Sequence, residues 1–144
     1  MDFGTQGATQ PDQSVLAGKV DLCIVLADAG DSSEQANDRL CEYIGHRRDR
    51  AVGFALVNPL SDDVTEKNLS ALREKQGLKG LVLYCCENGF HPCDSRAMQL
   101  YDSAQQLSMP VFFHNGRDLG CDAVLNYAQP FLLDEVARTY PELK

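Results

Sequence analysis

No C-x-x-C pair, no Gly-rich phosphate loop and no G-x-S-x-G elbow occurs in the 144 residues. Dithiol redox chemistry, nucleotide-phosphate cradling and the serine-hydrolase elbow therefore have no local sequence basis. Basic residues are also scarce. Thirteen Lys and Arg stand against 21 Asp and Glu, a net charge of −8 at pH 7. That field repels phosphate backbones, and no basic stretch is interleaved with aromatics, so no nucleic acid partner is expected. No apolar run approaches the length of a membrane span, so no membrane partner is expected either. Met1 to Ser14 is polar and has no apolar h-region, so no signal peptide is expected.

Six cysteines are present: Cys23, Cys41, Cys85, Cys86, Cys93 and Cys121. They are spread over an apolar run, a helical stretch and an adjacent pair rather than set out as a disulfide framework. Reduced thiols and a cytoplasmic location are the expectation.

Four short apolar runs do stand out: Val20 to Ala27, Val52 to Val57, Leu81 to Tyr84 and Val111 to Phe113. They are continuous rather than alternating, which is the pattern of strands buried on both faces, as in a parallel sheet. Helical patterns lie between them. Ala36, Leu40, Tyr43 and Ile44 share one face of the first, and Ser32 with Gln35 reads as its capping box. Leu69 and Leu72 mark the second, with Asp63 and Glu66 as its box and Gly77 as its C-cap. Ala97, Leu100, Tyr101, Ala104 and Leu107 mark the third, with Asp94 as N-cap. Leu133, Val136, Ala137 and Tyr140 mark a fourth, with Pro130 in its first turn and Pro141 as its stop.

Strands recur at a pitch of about 30 residues, the length of a βαβ unit. The expected fold class is therefore α/β, with parallel βα repeats forming part of a TIM (β/α)₈ barrel and about four strand–helix units present. A whole barrel needs roughly 250 residues. The next strand is due near residue 142 and the sequence ends at Lys144, so a truncated barrel is expected. Residues 1–14 are expected to form a disordered tail and 15–144 the partial barrel domain.

In such folds chemistry sits at the C-terminal ends of the strands. Asp28, Asn58, the group Cys85, Cys86 and Glu87, and the pair His114 and Asn115 follow the four runs. His114 ends the run Val111 to Phe113, and a neutral imidazole at a barrel mouth is a metal ligand by type. The alternative is a histidine held by a loop carbonyl. His91, in the loop after the third run, is either substrate-facing or held by a turn. Asn115 is a second substrate-facing candidate. Cys85, Cys86, His91 and Cys93 match no familiar zinc spacing. His46, Arg47, Arg48 and Arg50 read as a solvated helix end.

The stretches Arg50 to Pro59 (RAVGFALVNP), Gly77 to Tyr84 (GLKGLVLY), Met109 to Gly116 (MPVFFHNG) and Leu133 to Lys144 (LDEVARTYPELK) resemble the amidohydrolase-related family, in the branch that includes the aminocarboxymuconate-semialdehyde decarboxylase type. The resemblance runs from about Val20 onward. It implies a metal-dependent (β/α)₈ barrel that hydrolyses C–N or C–O bonds or removes carboxylates without oxidation, using a divalent metal, zinc first. It also implies an H-x-H pair on the first barrel strand, a histidine ligand on the fifth, a catalytic histidine on the sixth and an aspartate on the eighth. By position His114 matches the fifth-strand ligand, which makes the visible strands the second to fifth. No H-x-H occurs in this sequence. The resemblance therefore implies a piece of a hydrolase or non-oxidative decarboxylase, inactive alone, with a small-molecule substrate in the intact enzyme. The alternative is a non-catalytic half-barrel that associates with itself or a partner through its open edges; a homo-oligomer is expected.

The cysteine pattern yields a direct test. All six thiols should titrate with a disulfide reagent when the protein is denatured without reductant. A Cys–Cys bridge recovered by peptide mapping from fresh reduced material would refute the compartment assignment.

Overall fold

The computed structural model describes residues 21–30, 32–115 and 122–144. The expected tail 1–14, Val20, Gly116 and Cys121 lie outside these. Four strands alternate with helices: β1 (Cys23–Leu26), α1 (Ser33–Gly45), β2 (Ala51–Leu56), α2 (Glu66–Gln76), β3 (Gly80–Leu83), α3 (Ser95–Gln106), β4 (Val111–Phe113) and α4 (Leu133–Thr139). The strands are all parallel, in the spatial order β1-β2-β3-β4. Each chain crossover therefore moves one strand sideways in the same direction, which is how a parallel barrel grows.

The apolar runs became strands with small shifts. β2 and β3 each start and end one residue earlier than the runs suggest, and β1 occupies the second half of its run, short of Ala27. The helix starts divide more instructively. Ser32 Oγ accepts the Gln35 N–H, and Asp94 accepts the Arg96 N–H, so both expected N-caps are in place. Asp63 does not cap α2. Its carboxylate accepts the Thr65 N–H in a turn, and Thr65 becomes the N-cap without a side-chain bond. Asx-turn geometry outcompeted the capping box because the Asp63 carboxylate reaches the N–H two residues on. Gly77 closes α2 with φ +71°, a left-handed conformation that disfavours any Cβ. Pro130 lies not in α4 but in a separate 3₁₀ turn, Pro130–Leu132, directly before it.

Side-chain alternation separates two faces of the sheet. A Cβ on Gly53 would lie 2.6 Å from Leu78 and 2.9 Å from Ile44, so Gly53 turns toward the helices. Phe113 likewise meets Tyr101 of α3, with ring centroids 5.8 Å apart. The opposite, inner face carries Ile24, Phe54, Leu56, Val82 and Phe112. The Phe54 ring lies directly over Gly80, where a Cβ would come within 2.6 Å of it. Leu56, Val82 and Phe112 form one cross-strand row. Its central members are 2% and 0% exposed, whereas Phe112 on the last strand is 44% exposed and Ile24 on the first is 58% exposed. The inner face is thus covered at its middle and open at its flanks.

Asn37 of α1 is a buried polar residue that apolar periodicity does not single out. Its amide donates to Leu56 O at 3.0 Å and accepts the Leu56 N–H at 2.8 Å. β1 ends at Leu26, so Leu56 has no strand partner on that side, and Asn37 supplies the missing peptide. Three tyrosines do similar work: Tyr84, Tyr101 and Tyr140 each aim the hydroxyl at a backbone carbonyl, of Ala27, Pro92 and Met98. At the far edge, the Val111 N–H donates to Lys144 O at 2.7 Å. Lys144 therefore stands beside β4 as Pro110 stands beside β3, where Leu81 N–H donates to Pro110 O at 2.8 Å.

Replacing Asn37 by Leu strands two buried backbone groups. At about 1–3 kcal/mol for each, the loss should be about 2–6 kcal/mol. Urea unfolding of Asn37→Leu beside the parent measures it, and an unchanged midpoint would contradict the assignment.

Candidate functional site at the strand C-termini

The residue after β1, β2 and β4 continues the ladder before the chain turns away. Ala27 N–H donates to Phe54 O at 3.0 Å, Val57 N–H to Val82 O at 3.4 Å, and His114 N–H to Leu83 O at 2.9 Å. The backbone of His114 is therefore fixed by the sheet. Its side chain falls two residues after Phe112 and shares the inner face with it.

Tyr84 crosses this end of the sheet. From the end of β3 its hydroxyl reaches Ala27 O, beyond β1, at 2.8 Å. Its ring packs on His114, with centroids 4.6 Å apart and planes tilted by 41°. Burial pushes the phenol up to about 12, with the Asp28 and Glu87 carboxylates adding to the effect. Tyr84 is thus a neutral donor at physiological pH. It read only as the end of an apolar run; its role comes from a hydrogen bond across 57 residues of sequence, which no local pattern encodes.

His114 Nδ1 is buried and has no hydrogen-bond partner among the described residues. It faces Glu87 Oε1 at 3.9 Å, while the side chain as a whole is 34% exposed. The other carboxylate oxygen of Glu87 accepts the Cys86 thiol at 3.0 Å. Burial raises Cys86 to about 11, with the Glu87 hydrogen bond contributing, and burial raises Cys85 to about 12. Neither is a thiolate near neutral pH, so neither is a ready nucleophile. The five described cysteines are free.

The other candidates separate. His91 Nδ1 accepts the Cys93 N–H at 3.0 Å, and its ring meets Tyr127 edge-on at 5.6 Å. Asn115 follows His114 and is exposed. Asp28 accepts the Gly30 N–H, and Asn58 sits in a turn with Leu60 and Asp62. Arg96 of α3 donates to the carbonyls of Leu60 and Asp62 and so ties that turn down. His46 caps α1, and Arg47 lies 4.4 Å over the Tyr43 ring, as befits a helix-end cluster rather than a site.

A divalent metal needs several such donors at once. Among the described residues no group of three or more His, Cys, Asp or Glu side chains could hold one. His114 offers one ligand nitrogen and the described chain offers no matching set around it. The described residues alone do not fit a catalytic metal.

Four parallel strands curled into half a barrel, with helices between them and polar groups gathered after each strand, define part of a (β/α)₈ barrel. The chain belongs to the amidohydrolase family, whose model matches residues 25–144. Among solved structures it resembles 5-carboxyvanillate decarboxylase from Novosphingobium aromaticivorans, with TM-score 0.70 and 16% identity over 92% of this chain and 48% of that one. That structure holds manganese and 3-methoxy-4-hydroxy-5-nitrobenzoic acid. It also resembles 2,6-dihydroxybenzoate decarboxylase from Rhizobium, with TM-score 0.66 and 17% identity over 95% of this chain and 55% of that one. A probable 2-pyrone-4,6-dicarboxylic acid hydrolase from Acinetobacter baumannii matches at TM-score 0.51 and 18% identity, over 65% of this chain and 33% of that one. The chain thus spans about half the length of the two decarboxylases. No curated protein matches it. No helix among the described residues is long and apolar enough to cross a membrane.

Tyr84 gives the site a pH signature. Its phenol is neutral in the native state where the unfolded chain ionises near 10. Its contribution is fully present below pH 10 and is lost as pH rises toward 12. Tyr84→Phe should remove that part of the alkaline loss and cost about 0.5–1.5 kcal/mol at neutral pH. Denaturant melts of both proteins across the alkaline range measure the difference. Parallel pH profiles would exclude a perturbed Tyr84.

Proposed function

We propose that this chain is one half of a metal-dependent amidohydrolase-type barrel acting on a small carboxylated molecule, by non-oxidative decarboxylation or hydrolysis. His114 is the metal ligand that this half contributes. The remaining ligands come from barrel strands outside this chain, and by itself the chain is inactive. Zinc or manganese is the metal class, both divalent ions that accept imidazole nitrogen. His91 and Asn115 are the substrate-facing candidates on the adjoining loops.

One observation carries this reading. A histidine is held at the C-terminal end of a parallel strand by a backbone hydrogen bond, with part of its ring exposed, in a chain of the amidohydrolase family. The absence of three clustered ligands among the described residues supports dependence on a second half. The two decarboxylases that the fold resembles support the substrate class only as a likeness.

A second reading is favoured by the open flanks. Ile24 and Leu22 are more than half exposed at the β1 edge, and Phe112 is exposed on β4. Among the described residues β1 has no strand beyond it, and an open apolar edge of that kind recruits another sheet edge. In that reading the half-barrel works through association with a second copy or another protein.

Elemental analysis after dialysis against zinc or manganese tests the first reading. The expected result is less than one metal per chain, with the remainder lost in His114→Ala. A stoichiometric metal that survives His114→Ala but disappears with Cys86→Ala would replace this reading with a cysteine site. Light scattering across a dilution series tests the second. A compact monomer at every concentration, with no binding of a hydrophobic dye, would exclude it.

A further inference from the structure

We propose that Glu87 is a positioning residue for His114: pinned by the Cys86 thiol on one oxygen, it faces His114 Nδ1 with the other and holds the proton there, leaving an unprotonated Nε2 at the barrel mouth. A neutral imidazole carries one proton on two nitrogens, and its surroundings choose which. Nδ1 is buried, so water cannot serve it. The oxygen that faces it at 3.9 Å belongs to Glu87. A carboxylate oxygen only accepts, so a proton on Nδ1 is attracted and a lone pair there is repelled.

Glu87 is itself held in place. Its Oε2 accepts from Cys86 Sγ at 3.0 Å, and the Cys86 side chain is fully buried. The thiol is the donor here, because the carboxylate oxygen only accepts. The His114 backbone is fixed from the same strand pair by its N–H to Leu83 O, and Tyr84 packs on the ring. Two adjacent residues after β3 and one residue after β4 thus form an ordered line from thiol to carboxylate to imidazole. Contacts of this type orient a histidine and raise the basicity of its free nitrogen. The purpose of that nitrogen rests on the function proposed above; the proton position does not.

The chain contains a built-in reference. His91 Nδ1 accepts the Cys93 N–H, so His91 must carry its proton on Nε2, the opposite arrangement. With three histidines in the chain, the rings can be assigned by single substitutions. Long-range proton–nitrogen correlation spectra of the ¹⁵N-labelled, metal-free chain, at a pH well above the usual imidazole value of about 6.5, read both tautomers directly. The expected result is Nδ1–H for His114 and Nε2–H for His91. Glu87→Ala should turn the His114 Nδ1–H form from the majority into the minority and leave His91 unchanged. Glu87→Gln, which keeps an acceptor oxygen, should retain it. Where Glu87→Ala does not fold, Glu87→Met, closer in volume, takes its place. An Nε2–H His114 in the parent chain, or an Nδ1–H majority unaffected by loss of the carboxylate, would overturn the proposal. Because this readout needs no metal, it can fail while metal retention supports the function, and the reverse.

Discussion

A parallel strand leaves its last N–H and C=O groups to be paired by whatever lies beside its C-terminal end, and this demand organises the whole mouth of the half-barrel. The ladder is extended by one residue past β1, β2 and β4, through Ala27, Val57 and His114. Where the neighbouring strand stops short, at Leu56, the Asn37 side chain takes over both bonds. Where a carbonyl remains, at Ala27, the Tyr84 hydroxyl reaches it from two strands away. Each device puts a specific side chain at the mouth because a buried backbone group cannot be left unpaired.

The electrostatics of the site follow from the same packing. Tyr84, Cys85 and Cys86 are all pushed toward their neutral forms, chiefly by burial. Charge at this end of β3 is therefore concentrated on Glu87, with His114 facing it. A carboxylate and an imidazole amid neutral donors form a more directional arrangement than a cluster of like charges would. The cysteine pair, conspicuous in sequence, serves here as packing and as a thiol donor.

The outer, helix-facing side of the sheet was the most legible part. Ala36, Leu40, Ile44, Ala97, Leu100, Tyr101 and Ala104 follow helical spacing and are all buried. Ser32, Asp94 and Gly77 act through bonds within a few residues, and local patterns show them. At Asp63 two local motifs compete for the same carboxylate, and only the settled backbone shows which prevails. Asn37, Tyr84 and the orientation of Glu87 left no signal, since their partners lie 19, 57 and 27 residues away.

Periodicity and spacing by themselves determined that this is a run of parallel βα units with His114 at a strand end, because the pattern of burial repeats with each unit and burial acts residue by residue. Family membership was also visible in the order of the short motifs. Tertiary structure alone decided which nitrogen of His114 is buried, which carboxylate faces it and which tyrosine crosses the mouth. Those facts depend on angles and distances between separate strands. A linear pattern carries the chemical type of each side chain but not the direction in which the folded sheet aims it.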